Sequence, residues 1–228
     1  MKIRIQLRSD TAFGRGDGIA GLVNSEIEHD AQTGFPFIKG RTLKGLLVES
    51  CADILYALDK GNNNALDMLM VSASRLFGQP GTTYAESGHL HIGKAQLPAD
   101  LRQHLQAYNA DRKAKGRSGY SKEQVMQAFT TIRHQTAVDA ATGTPKDSSL
   151  RATRIILRET IFYASVHAMR PLDDTDYALL AACAKGVKRG GQNRTRGLGW
   201  LDVTLTDDDG NPLTEYMTAF VNEIGGNT

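Results

Sequence analysis

The sequence has little cysteine, no long apolar run and almost no net charge. Its two cysteines, Cys51 and Cys183, each fall in an apolar helical pattern with no second cysteine nearby. They are therefore expected as buried small side chains in a reducing compartment, without a disulfide. No apolar run approaches the ~20 residues that cross a bilayer, and the first residues alternate charged with apolar side chains, unlike a signal peptide. These absences predict a cytoplasmic location and no membrane partner.

A net charge of +2 is too small to make the whole protein a polycation. The distribution of the charges is more informative than their sum. Cations concentrate in residues 185–196 (KGVKRGGQNRTR), in residues 112–122 and in residues 151–158, whereas acids gather elsewhere, notably in residues 207–209. One face of the folded chain can therefore be basic although the total charge is nearly neutral.

Metal ligands are also scarce. His89 and His91 are spaced as neighbours on one face of a strand, but no cysteine or close third histidine completes a set. We therefore expect no metal site and no resident cofactor.

Hydrophobic periodicity predicts an α+β fold. Alternation over residues 3–7 indicates an opening strand, and a three-and-four spacing of apolar residues indicates a helix over residues 43–58. Further patterns predict helices at 65–77, 99–113, after Ser121 (SKEQ, a capping box), at 175–185 and at the C-terminus, and strands at 89–97, 155–169 and 198–205. This order predicts one domain over residues 1–228, a ferredoxin-like, RNA-recognition-motif-like core with inserted helices at 99–130. The aromatic consensus of a standard RNA-recognition motif is absent from the strands.

Residues 137–149 (AVDAATGTPKDSS) are polar and small, and cannot bury much surface. They are expected to form the protruding tip of an extended hairpin or a mobile loop.

Four segments in order resemble motifs of the RAMP superfamily of CRISPR proteins. They are residues 30–47 (DAQTGFPFIKGRTLKGLL), 76–78 (LFG), 133–143 (RHQTAVDAATG) and 190–203 (GGQNRTRGLGWLDV). Within that superfamily the likeness is greatest to the backbone subunits of type III or III-D class 1 effector complexes. The resemblance implies that the chain holds a guide CRISPR RNA for pairing with a target RNA. It also implies neighbouring copies of the chain and other effector-complex subunits as partners, and a thumb hairpin with its tip at residues 137–149.

The residues of these motifs have the chemistry that such binding requires. Gly40 is expected to permit a sharp turn and Thr42 to cap a helix that starts at Leu43, whose free N–H groups would favour a phosphate. Glycines in the last motif would let protein backbone approach RNA, while arginines reach phosphates or stack on sugars and bases. The predicted RNA-binding residues are Lys39, Gly40, Arg41, Thr42, Lys44, Arg133, Arg189, Gly190, Gly191, Arg194 and Arg196.

The resemblance also bears on catalysis. In type III backbone subunits an aspartate in the loop before the first motif cleaves target RNA with a divalent metal, and the position that aligns with it here is Asn24. A neutral amide supplies neither an anionic metal ligand nor a base, so cleavage at Asn24 is not expected. Nearby carboxylates could substitute, although solvated loop charge is the expected role of Asp17, Glu26, Glu28 and Asp30.

Two alternatives remain open from the sequence. Some RAMP ribonucleases process precursor RNA without a metal, and they use a general-base histidine together with a C-terminal glycine-rich loop. In this chain His29 would be that base. The chain could instead be a ferredoxin-like scaffold that binds protein. Salt-sensitive binding to generic RNA would separate the scaffold from an RNA-binding protein.

Overall fold

The structure is a computed structural model that describes residues 1–78, 88–146 and 149–225. This part of the chain contains eight strands and six helices. The strands are β1 Lys2–Leu7, β2 Phe37–Ile38, β3 Leu90–Ile92, β4 Ala95–Gln96, β5 Thr130–Gln135, β6 Arg151–Ile156, β7 Ile161–Ala168 and β8 Leu201–Thr206. The helices are α1 Gly40–Lys60, α2 Leu66–Phe77, α3 Ala99–Ala114, α4 Lys122–Phe129, α5 Asp174–Gly186 and α6 Thr214–Gly225.

The main sheet is antiparallel and has the order β2-β4-β7-β1-β8, with β3 also paired to β7. Helix α1 connects β1 to the β3/β4 edge, and α5 connects β7 to β8. The result is the β-α-β-β-α-β arrangement of a ferredoxin-like core, with the first strand between the third and the last. The α+β prediction is confirmed.

The hydrophobic core lies on the helical side of this sheet. In β1 the buried Ile3, Ile5 and Leu7 alternate with half-buried polar residues that point to the opposite face. Helix α5 is buried on most of its surface and packs between α1, α2, α6 and β8, which explains its small side chains. Cys51 and Cys183 are both buried where α1 meets α5. The hydrogen bond that the Cys183 thiol donates to Cys51, together with burial, raises the pKa of Cys183.

The predicted single strand over residues 155–169 is two strands. A turn at residues 157–160, with Glu159 at a positive φ of 65° and the Thr160 hydroxyl donating to Leu157 O (2.7 Å), separates β6 from β7. Strand β6 pairs with β5 in a separate two-stranded sheet, whereas β7 joins the main sheet. The turn falls on the polar residues Arg158, Glu159 and Thr160, which the prediction took as part of one alternating strand.

Helix α1 begins at Gly40, three residues before the predicted start. Lys39 occupies the N-cap position without a side-chain cap, and the N–H of Thr42 donates to Lys39 O (3.0 Å), so the predicted capping role of Thr42 is wrong. The predicted reason for Gly40 is also wrong, because its φ is not in the left-handed region. Glycine is required there because an added Cβ would clash with the carbonyl oxygen of Ile92.

Strands β5 and β6 form the arms of a hairpin that extends toward residues 137–149. A further pairing of Val138 with Pro145 continues the two arms toward the tip. There the Asp139 carboxylate accepts hydrogen bonds from the N–H groups of Ala141 and Thr142, which lowers the pKa of Asp139. Residues 147 and 148, which belong to the predicted tip, lie outside the described residues.

The region predicted as inserted helices, residues 99–130, contains α3 and α4. The capping box before α4 is confirmed, because Ser121 accepts from Gln124 N and its own N–H donates to Gln124 Oε1. Of the helices in the described ranges, none is both long and apolar enough to cross a bilayer.

The close approach at Gly40 gives a stability prediction with a control on the same helix. Gly40→Ala should reduce the free energy of unfolding by about 1–3 kcal/mol, because the start of α1 must move away from Ile92. Gly45→Ala places its methyl group where no atom lies within 4 Å, and better helix propensity should stabilise the protein by up to about 1 kcal/mol. Urea denaturation measures both, and equal effects would contradict the packing role of Gly40.

Candidate nucleic-acid interface

A connecting segment, residues 8–36, joins β1 to β2 and holds the parts of the candidate interface together. It pairs with β6 through Thr11 and Ile156, whose N–H groups donate to each other's carbonyl oxygens (2.9 and 2.8 Å). It pairs with the Gly-rich loop, residues 187–200, through Gln192 N donating to Ala12 O (2.8 Å). The hairpin and the Gly-rich loop therefore lie on either side of one segment.

A buried ion pair fixes the middle of this segment. The side chains of Glu26 and Arg154 are 0% and 7% exposed, and Arg154 Nε lies 2.9 Å from Glu26 Oε1. Glu26 Oε1 also accepts from Ile27 N (2.9 Å), and Arg154 Nη1 reaches the Thr130 hydroxyl (3.4 Å). Glu26 is therefore not the solvated loop charge that the sequence predicted, and it is not free to act on a substrate.

Asn24 sits two residues before this pair, at the edge of β6. Its N–H donates to Ala152 O and its Oδ1 accepts from Ala152 N, both at 2.7 Å. The side-chain oxygen at the position aligned with the family aspartate is thus used to hold the hairpin. An aspartate could accept the same N–H bond, so the local structure would accommodate either residue.

The other acidic candidates are also committed to local contacts. Asp17 pairs with Arg15 Nε (2.5 Å), and the carboxylate of Glu28 contacts the ammonium of Lys39. Asp30 accepts from Thr33 N and the Thr33 hydroxyl (both 2.8 Å), and these bonds lower the pKa of Asp30. Among the described residues, no group of three or more histidine, cysteine, aspartate or glutamate side chains could hold a metal ion.

His29, the alternative base, lies between Glu28 and Asp30 and is half-buried. Its Nδ1 lies 3.3 Å from Asp30 O, and its backbone pairs with Pro36. No contact among the described residues links it to the Gly-rich loop.

The cations at the start of α1 differ in whether an acidic side chain neutralises them. Lys39 is neutralised by Glu28. Arg41 is exposed and Lys44 half-exposed, and within residues 1–78, 88–146 and 149–225 neither forms an ion pair. The positive end of the helix dipole adds to their charge, so this helix start can attract a phosphate.

The glycines of the Gly-rich loop have packing roles inside the protein. An added Cβ at Gly190 would lie 2.8 Å from Leu201 and 3.0 Å from Leu46. Gly191 has a φ of +83°, and an added Cβ there would lie 2.6 Å from the carbonyl oxygen of Ala12. The sequence predicted that these glycines let the backbone approach RNA. The contacts show instead that they let the loop pack against α1 and the connecting segment. The loop is thereby fixed in place.

The arginines of this loop point to different surroundings. Arg194 Nη1 lies 3.3 Å from Glu49 Oε1 of α1, in an exposed pair. Arg189 donates to Arg194 O (2.5 Å) and stacks over Trp200, with 5.1 Å from its guanidinium carbon to the ring centroid. Arg196 faces the hairpin.

A cleft of about 670 Å³ lies between the base of the hairpin and the Gly-rich loop. It has three cations and no acid, and its lining residues are Gln135, Thr136, Ala137, Lys146, Ser149, Arg151 and Arg196. Arg133, exposed on β5, shares a strand face with Gln135 because the two are two positions apart along the strand. The predicted site omitted Arg151, although the basic cluster at residues 151–158 contained it.

Comparisons with known proteins identify the family of this chain. The family model of the RAMP superfamily matches residues 4–202. The chain belongs to the RAMP superfamily. The family identified from the motifs is therefore confirmed.

Chains of solved structures share the fold at low sequence identity. A chain of the cryo-EM structure of type III-B Cmr-beta in the apo state is 12% identical, with a TM-score of 0.61, and the match covers 91% of this chain and 97% of that one. A chain of type III-B Cmr-beta bound to cognate target RNA is 12% identical, with a TM-score of 0.60 and coverages of 89% and 95%. A search of curated proteins found no match.

The buried ion pair predicts a large and asymmetric mutational response. Arg154→Met should reduce the free energy of unfolding by about 3–5 kcal/mol, because it leaves the Glu26 carboxylate unpaired in the interior. The double variant Glu26→Gln with Arg154→Met should recover much of that loss, since no charge remains buried. Urea denaturation of the single and double variants measures the difference. Equal stability of Arg154→Met and the unchanged protein would contradict the structural role of the pair.

Proposed function

We propose that this chain is a guide-RNA-binding subunit of a CRISPR effector complex of type III kind, acting in the cytoplasm. The observation that carries the proposal is the convergence of cations from three distant parts of the sequence around one connecting segment. They come from the start of α1, from the Gly-rich loop and from the base of the hairpin. Membership of the RAMP superfamily supports the same function.

The expected mode of binding is to the RNA backbone. Phosphates would meet Arg41 and Lys44 at the helix start and Arg196 and Arg151 in the cleft, since these cations have no acidic partner among the described residues. Lys39 and Arg194 can contribute after exchanging Glu28 and Glu49 for phosphate. Such contacts recognise RNA of any sequence, which suits a protein that must hold many different guides.

The hairpin beside this surface supports a role in presenting the guide to a target RNA. Its arms are held by the connecting segment, while its tip at residues 137–149 is polar and exposed within the part that is described. We infer that it acts as the thumb that crosses the guide–target duplex. Further copies of this chain and other effector-complex subunits are the proposed protein partners.

The proposed function does not include cleavage at Asn24. The amide oxygen is bonded to Ala152 N, and Glu26, Glu28 and Asp30 are held by Arg154, Lys39 and Thr33. RNA binding by these residues needs no cofactor. Mg²⁺ would be required only for a cleaving variant.

Single charge removals should test the binding surface. Lys44→Ala and Arg196→Ala should each weaken binding to unrelated RNA sequences by a similar factor, and reduce the slope of log affinity against log salt by about one. Lys60→Ala is the matched control, because it removes one charge from the far end of the same helix α1. Filter binding over a salt series measures the slopes. Unchanged slopes in both test variants would refute this surface.

A restored carboxylate should test the catalytic inference. Asn24→Asp, assembled into the effector complex with matched target RNA and Mg²⁺, should cut the target at regular intervals, because the carboxylate supplies an anionic metal ligand. EDTA should abolish the cuts. Asn24→Ala controls for the lost bond to Ala152 and should not cut. Equal cutting by the unchanged chain would contradict the inference, and EDTA-resistant cutting would direct attention to His29.

A further inference from the structure

Trp200 is the sole tryptophan of the sequence, and its side chain is 47% exposed at one end of the main sheet. It precedes β8, and its backbone is held on both sides. Its carbonyl oxygen accepts from Arg8 N (2.8 Å), and its N–H donates to the Ser9 hydroxyl (2.9 Å). The exposed ring is therefore presented on a fixed piece of backbone.

The ring lies on the sheet face opposite the helices. Side chains alternate along a strand, so Trp200 shares a face with Asp202, while the buried Leu201 points to the core. Arg8 continues the polar side of β1, and its Nη2 lies 3.1 Å from Asp202 Oδ2 across this face. The ring is thus outside the hydrophobic core and contributes nothing to packing against the helices.

The surroundings of the ring are cationic and open. Trp200 forms part of the wall of a cleft of about 570 Å³, together with Arg8, Ser9, Arg189, Gly197 and Leu198. Arg189 stacks on the ring, whereas Arg8 is balanced by Asp202. At Gly197 an added Cβ would meet no atom within 4 Å, so space remains beside the ring.

We propose that Trp200 and Arg189 form a stacking site for one unpaired base of single-stranded RNA. An aromatic ring flanked by an arginine is the combination that holds unpaired bases, because the ring offers a flat apolar surface and the cation attracts the adjoining phosphate. The site is continuous with the proposed phosphate-binding surface, since Arg189 also donates to Arg194 O. This inference rests on the proposed RNA-binding function. It adds a contact to a base where the rest of the surface contacts the backbone.

The fluorescence of this one tryptophan reports on the site directly. A single-stranded RNA of about ten nucleotides should quench its emission on binding, because a stacked base deactivates the excited indole. An abasic RNA of the same length retains every phosphate but has no base to stack. It should bind through the phosphates and leave the emission unchanged, whereas equal quenching by both RNAs would overturn the stacking site.

Substitutions of Trp200 measure the contribution of its ring to RNA binding separately from that of the neighbouring charges. Trp200→Leu should weaken binding of the normal RNA about tenfold and leave binding of the abasic RNA unchanged, and Trp200→Phe should restore part of the loss. Tyr56→Leu is the matched control. Tyr56 is also an exposed aromatic with a cation over its ring, Lys60 at 5.3 Å, but it lies on α1 away from the cleft, so this variant should bind as the unchanged protein does.

The outcomes distinguish failure of the stacking site from failure of RNA binding as a whole. If the unchanged protein binds RNA in a salt-dependent way and Trp200→Leu and Trp200→Phe bind equally well, the stacking site alone is refuted. Loss of self-association in Trp200→Leu, with RNA affinity intact, would assign the ring to a protein interface and likewise refute the site. Absence of salt-dependent RNA binding in the unchanged protein would refute the proposed function itself.

Discussion

Glu26 and Arg154 form an ion pair in the interior, and the arrangement of the candidate interface depends on it. The connecting segment contains no helix or long strand, so its backbone needs partners from other parts of the fold. The pair joins this segment to β6, beside the backbone bonds of Asn24 to Ala152 and of Thr11 to Ile156. Removing two charges from water is costly, and leaving either charge unpaired in the interior costs more, so the pair disfavours arrangements in which Glu26 and Arg154 are apart.

The ferredoxin-like core explains where this pair acts. Strand β1 ends at Leu7, which pairs with Leu201 at the start of β8. The connecting segment that follows β1 and the Gly-rich loop that precedes β8 therefore begin and end at the same end of the sheet. The connecting segment and the Gly-rich loop leave the core there and pair with each other. Two loops that are far apart in sequence thus form one surface, which the start of α1 and the hairpin complete. The same geometry leaves Trp200 at the border between this surface and the polar face of the sheet.

Several residues of the motifs that identify the family also have structural roles inside the protein. Gly40, Gly190 and Gly191 bring backbone segments close together and thereby position the interface. Lys39 and Arg194 have acidic neighbours, whereas Arg41, Lys44 and Arg196 carry charge without a described acidic partner. Residues of one motif therefore differ in how directly they can serve RNA binding.

The sequence by itself determined the secondary structure of most of the chain, the fold class and the family. Periodicity is a local property, and the capping box at Ser121, the helix over residues 65–77 and the motif around Lys44 are all readable within short windows. Tertiary structure alone decided which of these local features meet. The burial of Glu26, the placement of β6 and β7 in different sheets, and the meeting of Arg151 with Arg196 depend on contacts between residues far apart along the chain, which no local pattern records.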